Sequence, residues 1–348
     1  MLALIVPCYN EEDGIIQSLQ TLQDKLATLK NSQIIAQESF IICIDDGSED
    51  NSFSLLQDYT SQTPYCTIIK LTKNYGGQKA LLAGLQYAKG RCDCCISIDA
   101  DLQQDIEKFP EFIKKYNEGA QIVLGIRNDR KTDTFFKKAS SLGFYRLMQM
   151  LGTPAIPNHS EYRLLGSKAL EKLAAFQESN IFLRGLIFEL GFKIDYVYFD
   201  VKPRTIGASK YSLSKMLSLA IDGITSFSTR PLHLISLIGM VVFLMSFLLG
   251  IYSLYTTLVL QKSIPGWASI ALPLYFLGGV QLLALGVIGE YIGKIYAETK
   301  HRPRYLIESI TQNDSPLKSS PTHQSNRHLG RENTTKNLKN TSKESNAI

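Results

Sequence analysis

Two long stretches of this 348-residue chain lack any acidic or permanently charged side chain, one from Leu232 to Leu260 and the other from Trp267 to Gly289. Each exceeds the roughly 20 residues that a helix needs to cross a bilayer. A core-facing helix of a soluble protein is seldom apolar on every face for that length, so two membrane spans are expected, at about 232–260 and 267–291. The start of the chain has no basic n-region and no cleavage site. Met1 runs directly into the apolar segment Leu2–Pro7, so no signal peptide is expected. Six cysteines, at positions 8, 43, 66, 92, 94 and 95, sit in or beside apolar runs. Cys92 and Cys95 form a C-x-x-C, but no second pair or histidine cluster accompanies it, which disfavours a zinc site and suits reduced, buried thiols in the cytosol. The net charge of +5 includes no basic stripe, so nucleic acid is not an expected partner.

The charges that flank the spans set their orientation. Lys210, Lys215 and Arg230 precede the first, Lys294, Lys300, Arg302 and Arg304 follow the second, and the connection 261–266 carries only Lys262. The positive-inside tendency therefore predicts an integral inner or plasma membrane protein with both termini in the cytoplasm.

Before the spans, apolar runs at Leu2–Pro7, Phe40–Ile44, Thr67–Leu71, Cys92–Ile98 and Gln121–Ile126 alternate with helical patterns. Strands that are continuously apolar and separated by helices predict an α/β domain built on a parallel sheet covered on both faces. The rhythm breaks beyond Arg127, and a later strand is expected at Lys193–Asp200. The chain divides into a cytoplasmic domain at 1–208, an amphipathic helix at 209–230, the two spans within 231–300 and a tail at 301–348. Leu213, Met216, Leu217, Ala220, Ile221, Ile224 and Phe227 share one face of that helix, which suits the membrane interface and, as the alternative, a core-facing surface. The tail is basic and poor in large apolar residues from about Ser309, and disorder is expected there.

Several strand ends aim chemistry at one crevice. Cys95–Ile98 ends in Asp99-Ala-Asp101-Leu-Gln103, two carboxylates one residue apart. Such a pair is costly unless a divalent cation separates it from a polyanion such as a nucleotide diphosphate; an exposed acidic turn is the plain alternative. Pro7-Cys-Tyr-Asn-Glu11 follows the first strand, Asp45-Asp46-Gly-Ser48 the second, and Gly76-Gly77-Gln78-Lys79 the third.

In this order and spacing, these motifs resemble the inverting glycosyltransferases of family two, and within them the polyprenyl-phosphate sugar transferases. The resemblance covers about residues 2–300, including Arg204-Thr-Ile-Gly-Ala-Ser-Lys-Tyr211 and Ser226-Phe-Ser-Thr-Arg-Pro231. It implies a GT-A Rossmann-like α/β domain with interfacial helices and a two-helix C-terminal transmembrane hairpin. It also implies that Pro7, Tyr9, Asn10 and Glu11 line the base and ribose pocket, that Asp45 or Asp46 bonds the base, and that Lys79 and Asp99 complete the donor site. Asp99, Asp101 and Gln103 would form the shell of Mg²⁺ or Mn²⁺, and Arg127, Lys137, Ser141, Arg204, Ser209 and Lys210 would hold the lipid phosphate. The catalytic group would comprise Asp101, Arg127 and Glu161.

The sequence departs from the family pattern at two places. Gln104-Asp105-Ile106 stands where a diproline is usual, which predicts a looser turn, and Glu161 stands where an aspartate is expected. The implied reaction is transfer of a sugar, glucose from UDP-glucose or alternatively mannose from GDP-mannose, to undecaprenyl or another polyprenyl phosphate. A phosphate monoester is largely a dianion at neutral pH and needs no general base. A processive synthase would need a Q-x-x-R-W element, and the only tryptophan, Trp267, lies in a span. A silent nucleotide-sugar-binding scaffold and a transporter are the readings from other classes. Glycines at 278, 279, 286, 289 and 293 would allow close helix packing in a homo-oligomer.

Overall fold

The computed structural model of the chain describes residues 1–128, 159–178, 182–201, 225, 228–258 and 267–313. Lys137, Ser141, Arg204, Ser209, Lys210 and the amphipathic segment 209–230, apart from the isolated residue 225 and residues 228–230, lie outside the described residues.

The apolar runs form the strands they predict. β1 (Leu2–Cys8), β2 (Phe40–Asp45), β3 (Cys66–Leu71) and β4 (Cys94–Ser97) are almost wholly buried, as strands covered on both faces must be. Helices α1 (Ile15–Asn31), α2 (Ser52–Gln62) and α3 (Gly77–Ala88) connect them. β1 lies between β2 and β4 and is parallel to both. The order of strands therefore reverses about β1, and a crevice opens at the carboxyl ends of β1, β2 and β4. Two apolar layers cover the sheet. Leu19, Leu22 and Leu26 of α1 belong to one, and Leu81, Leu82 and Leu85 of α3 to the other.

α4 (Phe109–Asn117) leads to β5 (Ile122–Arg127), which is followed by β6 (His159–Gly166), α5 (Ser167–Leu173), α6 (Leu183–Glu189) and β7 (Ile194–Phe199). Two features depart from the expected parallel sheet. First, β6 is a strand that the periodicity did not reveal, and it runs antiparallel between β4 and β5. Its buried face is centred on Tyr162, whose ring lies 4.5 Å from that of Phe112 and 5.2 Å, edge-on, from that of Phe199. Its other face carries Glu161 and Arg163, which hide it from an apolar-run reading.

Second, part of the expected disordered tail folds. β8 (Ile307–Gln312) pairs antiparallel with β3 and completes an eight-stranded sheet ordered β7-β5-β6-β4-β1-β2-β3-β8. Free backbone groups on the β3 edge override the polar composition of this segment. An ion pair of Lys70 with Glu308 at 3.0 Å adds to the contact, as does a hydrogen bond from Arg304 Nη1 to the Phe176 carbonyl at 2.8 Å. The sheet thus draws its last strand from beyond the apolar helices.

Those helices are α7 (Arg230–Leu258) and α8 (Trp267–Thr299). α8 continues past the expected end at 291. Among the described residues, Phe276–Thr299 is long and apolar enough to cross a membrane, and none of its most apolar window is buried. Leu237, Leu248, Ile270 and Leu282 are all more than three-fifths exposed, which excludes a hairpin packed inside a soluble core.

Candidate active site

The crevice is built by stitching the loops after β1 and β2 together. Ser48 Oγ accepts from Asn10 N at 3.0 Å, Asn10 Oδ1 from Glu49 N at 2.9 Å, and Ser52 Oγ from Glu11 N at 2.8 Å. Asn10 is held at φ 53°, a region that asparagine tolerates better than most residues. Pro7, Tyr9, Asn10 and Glu11 are half-buried along this wall.

Asp45 and Asp46 are both buried, and the structure separates their roles. Asp46 receives Tyr75 N at 2.8 Å on one oxygen and Gly76 N at 2.9 Å on the other, so it braces the loop that opens α3 and carries Lys79. Asp45 accepts Ser48 N at 3.4 Å on Oδ2, while its buried Oδ1 has no hydrogen-bond partner. Burial pushes both carboxyls up from the ordinary aspartate range. Gly47 between Asp46 and Ser48 sits at φ 67°, and a Cβ there would come within 2.4 Å of the Lys73 carbonyl carbon, so only glycine lets these loops approach.

Asp99 and Asp101 follow β4 on a strained turn: Leu102 has φ 47°, and its N–H donates to the Asp99 carbonyl at 3.2 Å. Gln103 N donates to Asp101 Oδ1 at 3.2 Å. The turn expected to be loose is firmly held. Gln104 is buried and its amide donates to Asp99 Oδ2, Asp105 caps the following 3₁₀ turn, and the Asp105 carbonyl accepts from Tyr162 Oη at 3.0 Å. Burial, and then the neighbouring Asp101, push the Asp99 carboxyl up. The Gln104 hydrogen bond and the fields of Arg127 and Arg184 pull it back.

Burial outweighs these cationic fields at Asp99, so a further positive charge beside it would be favoured. Among the described residues no group of three His, Cys, Asp or Glu side chains could hold a metal. Two carboxylates with Gln103 are the donor set expected of a hard cation that completes its shell with phosphate oxygens and water.

Arg127 ends β5 and faces the pair electrostatically. Glu161, on β6, is not an open carboxylate. Its Oε2 forms an ion pair with Arg163, and its Oε1 accepts from Arg184 Nε at 2.7 Å. Its carbonyl accepts from Ser97 Oγ at 2.5 Å, which ties it to β4 just before Asp99. Arg163 is 1% exposed. Burial, and then the Arg184 charge, lower its pKa to about 9, which leaves the guanidinium charged at neutral pH. Arg163 and Arg184 were not singled out from the sequence. For Arg163 the signal was a charge inside Tyr162-Arg163-Leu164-Leu165, whereas for Arg184 there was none, because α6 reaches β6 only through the tertiary fold.

A cavity of about 490 Å³ opens at the opposite end of the sheet, beside Met1, Lys30 and Asp93. Its charges are already engaged, the Met1 ammonium with Asp93 at 2.5 Å and Lys30 over the Tyr65 ring at 4.5 Å. The paired carboxylates and the arginine cluster distinguish the crevice from this end as the candidate site.

A model of glycosyl transferase family 2 matches residues 3–174. The chain is 46% identical over 319 residues to the uncharacterized glycosyltransferase YkoT of Bacillus subtilis, an alignment covering 91% of this chain and 94% of that protein. It is 38% identical over 312 residues to the bactoprenol glucosyl transferase of Shigella phage SfV, covering 89% and 99%. Against the prophage bactoprenol glucosyl transferase homolog of Escherichia coli K12 it is 36% identical over 310 residues, covering 89% and 99%. With this match, the mixed sheet and its crevice are the GT-A arrangement that the motifs imply.

Proposed function

The chain belongs to glycosyl transferase family 2, and from that premise we propose that it moves glucose from UDP-glucose to undecaprenyl phosphate at the cytoplasmic membrane face. The observation that carries this reading is the adjacent Asp99 and Asp101 at the reversal of strand order, with Asp99 desolvated, set against Arg127, Arg163 and Arg184. Relatives named for glucosyl transfer to bactoprenol, alike over nearly their whole length, support the acceptor and the hexose.

In this reading Pro7, Tyr9, Asn10 and Glu11 receive base and ribose. Asp45 accepts from a base N–H through the oxygen that has no hydrogen-bond partner among the described residues, and Asp46 keeps Lys79 in position for the diphosphate. Asp99, Asp101 and Gln103 would hold Mg²⁺ or Mn²⁺, which when bound supplies charge neutralisation at the departing diphosphate. Arg127 and, by resemblance, Lys137, Ser141, Arg204, Ser209 and Lys210 hold the lipid phosphate.

The acceptor phosphate oxygen forms its bond to the anomeric carbon as the bond to the diphosphate breaks. The electron pair leaves with the nucleoside diphosphate, and the anomeric configuration inverts. The acceptor dianion needs no deprotonation. Both Glu161 oxygens are engaged by guanidinium groups, which supports an electrostatic role for Glu161 over that of a base. Catalysis is then positioning between cations on both sides of the reacting centre.

α7 and α8 form the two spans in this proposal, with the enzymatic domain and both termini in the cytoplasm. A Cβ added at Gly278, Gly279, Gly286, Gly289 or Gly293 would meet nothing within 4 Å, so these positions leave room for helices of a second copy.

The test combines purified protein, undecaprenyl phosphate, Mg²⁺ and radiolabelled nucleotide-sugars. Label from UDP-glucose should enter the organic phase and fail to do so with EDTA. Label from GDP-mannose alone would replace the donor. Nucleotide-sugar binding without lipid-dependent release of nucleoside diphosphate would overturn the enzyme in favour of a binding scaffold.

A further inference from the structure

We infer that Arg184 is a positioning residue for sugar transfer: it keeps the Glu161 carboxylate neutralised in one orientation while a second anion, the acceptor phosphate, enters beside it. This rests on the proposed function above and adds a residue to which nothing in the sequence pointed.

Glu161 has two unlike partners. Arg163 is two residues away on the same face of β6, is almost fully buried, and is fixed by a strand paired on both sides. Arg184 comes from α6, and a third of its side chain is exposed. α6 is itself anchored where the donor side begins, because Leu183 N donates to Gln78 Oε1 at 3.0 Å, and Gln78 is the second residue of α3. A continuous path therefore runs from the Gly76–Lys79 segment through Leu183 and Arg184 to Glu161, and from the Glu161 carbonyl to Ser97 and the strand that delivers Asp99.

Charge balance gives the path its purpose. Among the described residues, Asp99, Asp101 and Glu161 face Arg127, Arg163 and Arg184, three acids and three guanidinium groups. Without Arg184 the cluster is more negative by one charge, and Glu161 keeps one guanidinium partner and gains freedom to turn. An incoming phosphate dianion meets repulsion there, whereas the donor side feels the change only through the weaker field of Arg184 at Asp99. Arg184 acts through Glu161, so its effect should disappear when Glu161 loses its charge.

The experiment is a double-mutant cycle on the full-length protein in detergent, with Arg184→Gln, Glu161→Gln and the double variant. Acceptor KM, donor KM and kcat are measured with undecaprenyl phosphate and UDP-glucose. Arg184→Gln should lower kcat/KM for the acceptor by about 10-fold to 100-fold, with donor KM changed less than about 3-fold. In the Glu161→Gln background the same change should cost less than about 2-fold. Multiplying losses would show that Arg184 meets substrate directly and overturn the inference. So would a change confined to donor KM. Arg184→Lys enters the same cycle if Arg184→Gln does not fold. Absence of lipid-dependent turnover in the wild type overturns the proposed function and this inference together, whereas an active wild type with additive losses overturns this inference alone.

Discussion

Asp46 and Glu161 both present a carboxylate at the edge of the crevice, yet they are held by different chemistry. Asp46 is gripped by two main-chain amides, of Tyr75 and Gly76, which cannot move without unwinding the entry to α3. Glu161 is gripped by two side chains, one buried on its own strand and one half-exposed on a separate helix. An anion held by backbone is part of the frame. One held by guanidinium groups is part of a charge balance that can be redistributed when charged substrates arrive. The half of the crevice between β1, β2 and α3 is built in the first manner and the half between β4, β5 and β6 in the second.

The largest expected effect lies between these halves. Asp101→Ala removes one of the paired carboxylates, and turnover in the organic-phase assay should fall by at least about 100-fold, because a metal-neutralised leaving group contributes several kcal/mol. A loss under about 5-fold would mean that the pair is not the cation site.

Asp46→Ala sharpens the contrast with Glu161→Gln. It orphans two amides beside the donor loop and should cost about 2–3 kcal/mol of stability, read as a lowered denaturation midpoint. Glu161→Gln leaves the buried Arg163 guanidinium without its acid, so it should lower that midpoint too, but it should cost turnover with donor KM little changed. An unchanged donor KM in Asp46→Ala would break the comparison.

Gly47→Ala probes the backbone-held half from another direction. A left-handed φ and a near clash with Lys73 predict a loss of about 1–3 kcal/mol, together with a raised donor KM.

The smallest effect tests the quiet end of the sheet. Burial lowers the Lys30 pKa, so the folded state binds its proton less tightly than the unfolded chain does. Below the folded pKa the desolvation penalty is fully present, and it fades only as pH rises from that value through 10.5. Lys30→Met should therefore stabilise the protein slightly at pH 7, lose that advantage above pH 10, and leave transfer unaffected.

Much of this molecule was legible in advance. Isoleucine- and cysteine-rich runs that end in Asp45-Asp46 and Asp99-Ala-Asp101 can be read as buried strands delivering charge, because burial on two faces leaves an unbroken apolar signature. β6 escaped because one of its faces carries the charged residues Glu161 and Arg163, which are buried only once it pairs with β4 and β5. β8 escaped because its polar residues satisfy an edge that the local sequence does not reveal. Gln104, expected to loosen its turn, instead reaches Asp99, a consequence of burial that no spacing rule encodes.

The sequence alone determined the continuously apolar strands, the long apolar segments that include Phe276–Thr299, and the loops that carry carboxylates, since each follows from local periodicity and composition. Tertiary structure alone decided that Arg163 and Arg184 converge on Glu161, that Asp46 serves the frame while Asp45 keeps an unmet acceptor, and that the chain returns after its last helix to finish the sheet. Those are contacts between residues far apart in the chain. Their energies depend on distance and burial, which a linear string of residues does not contain.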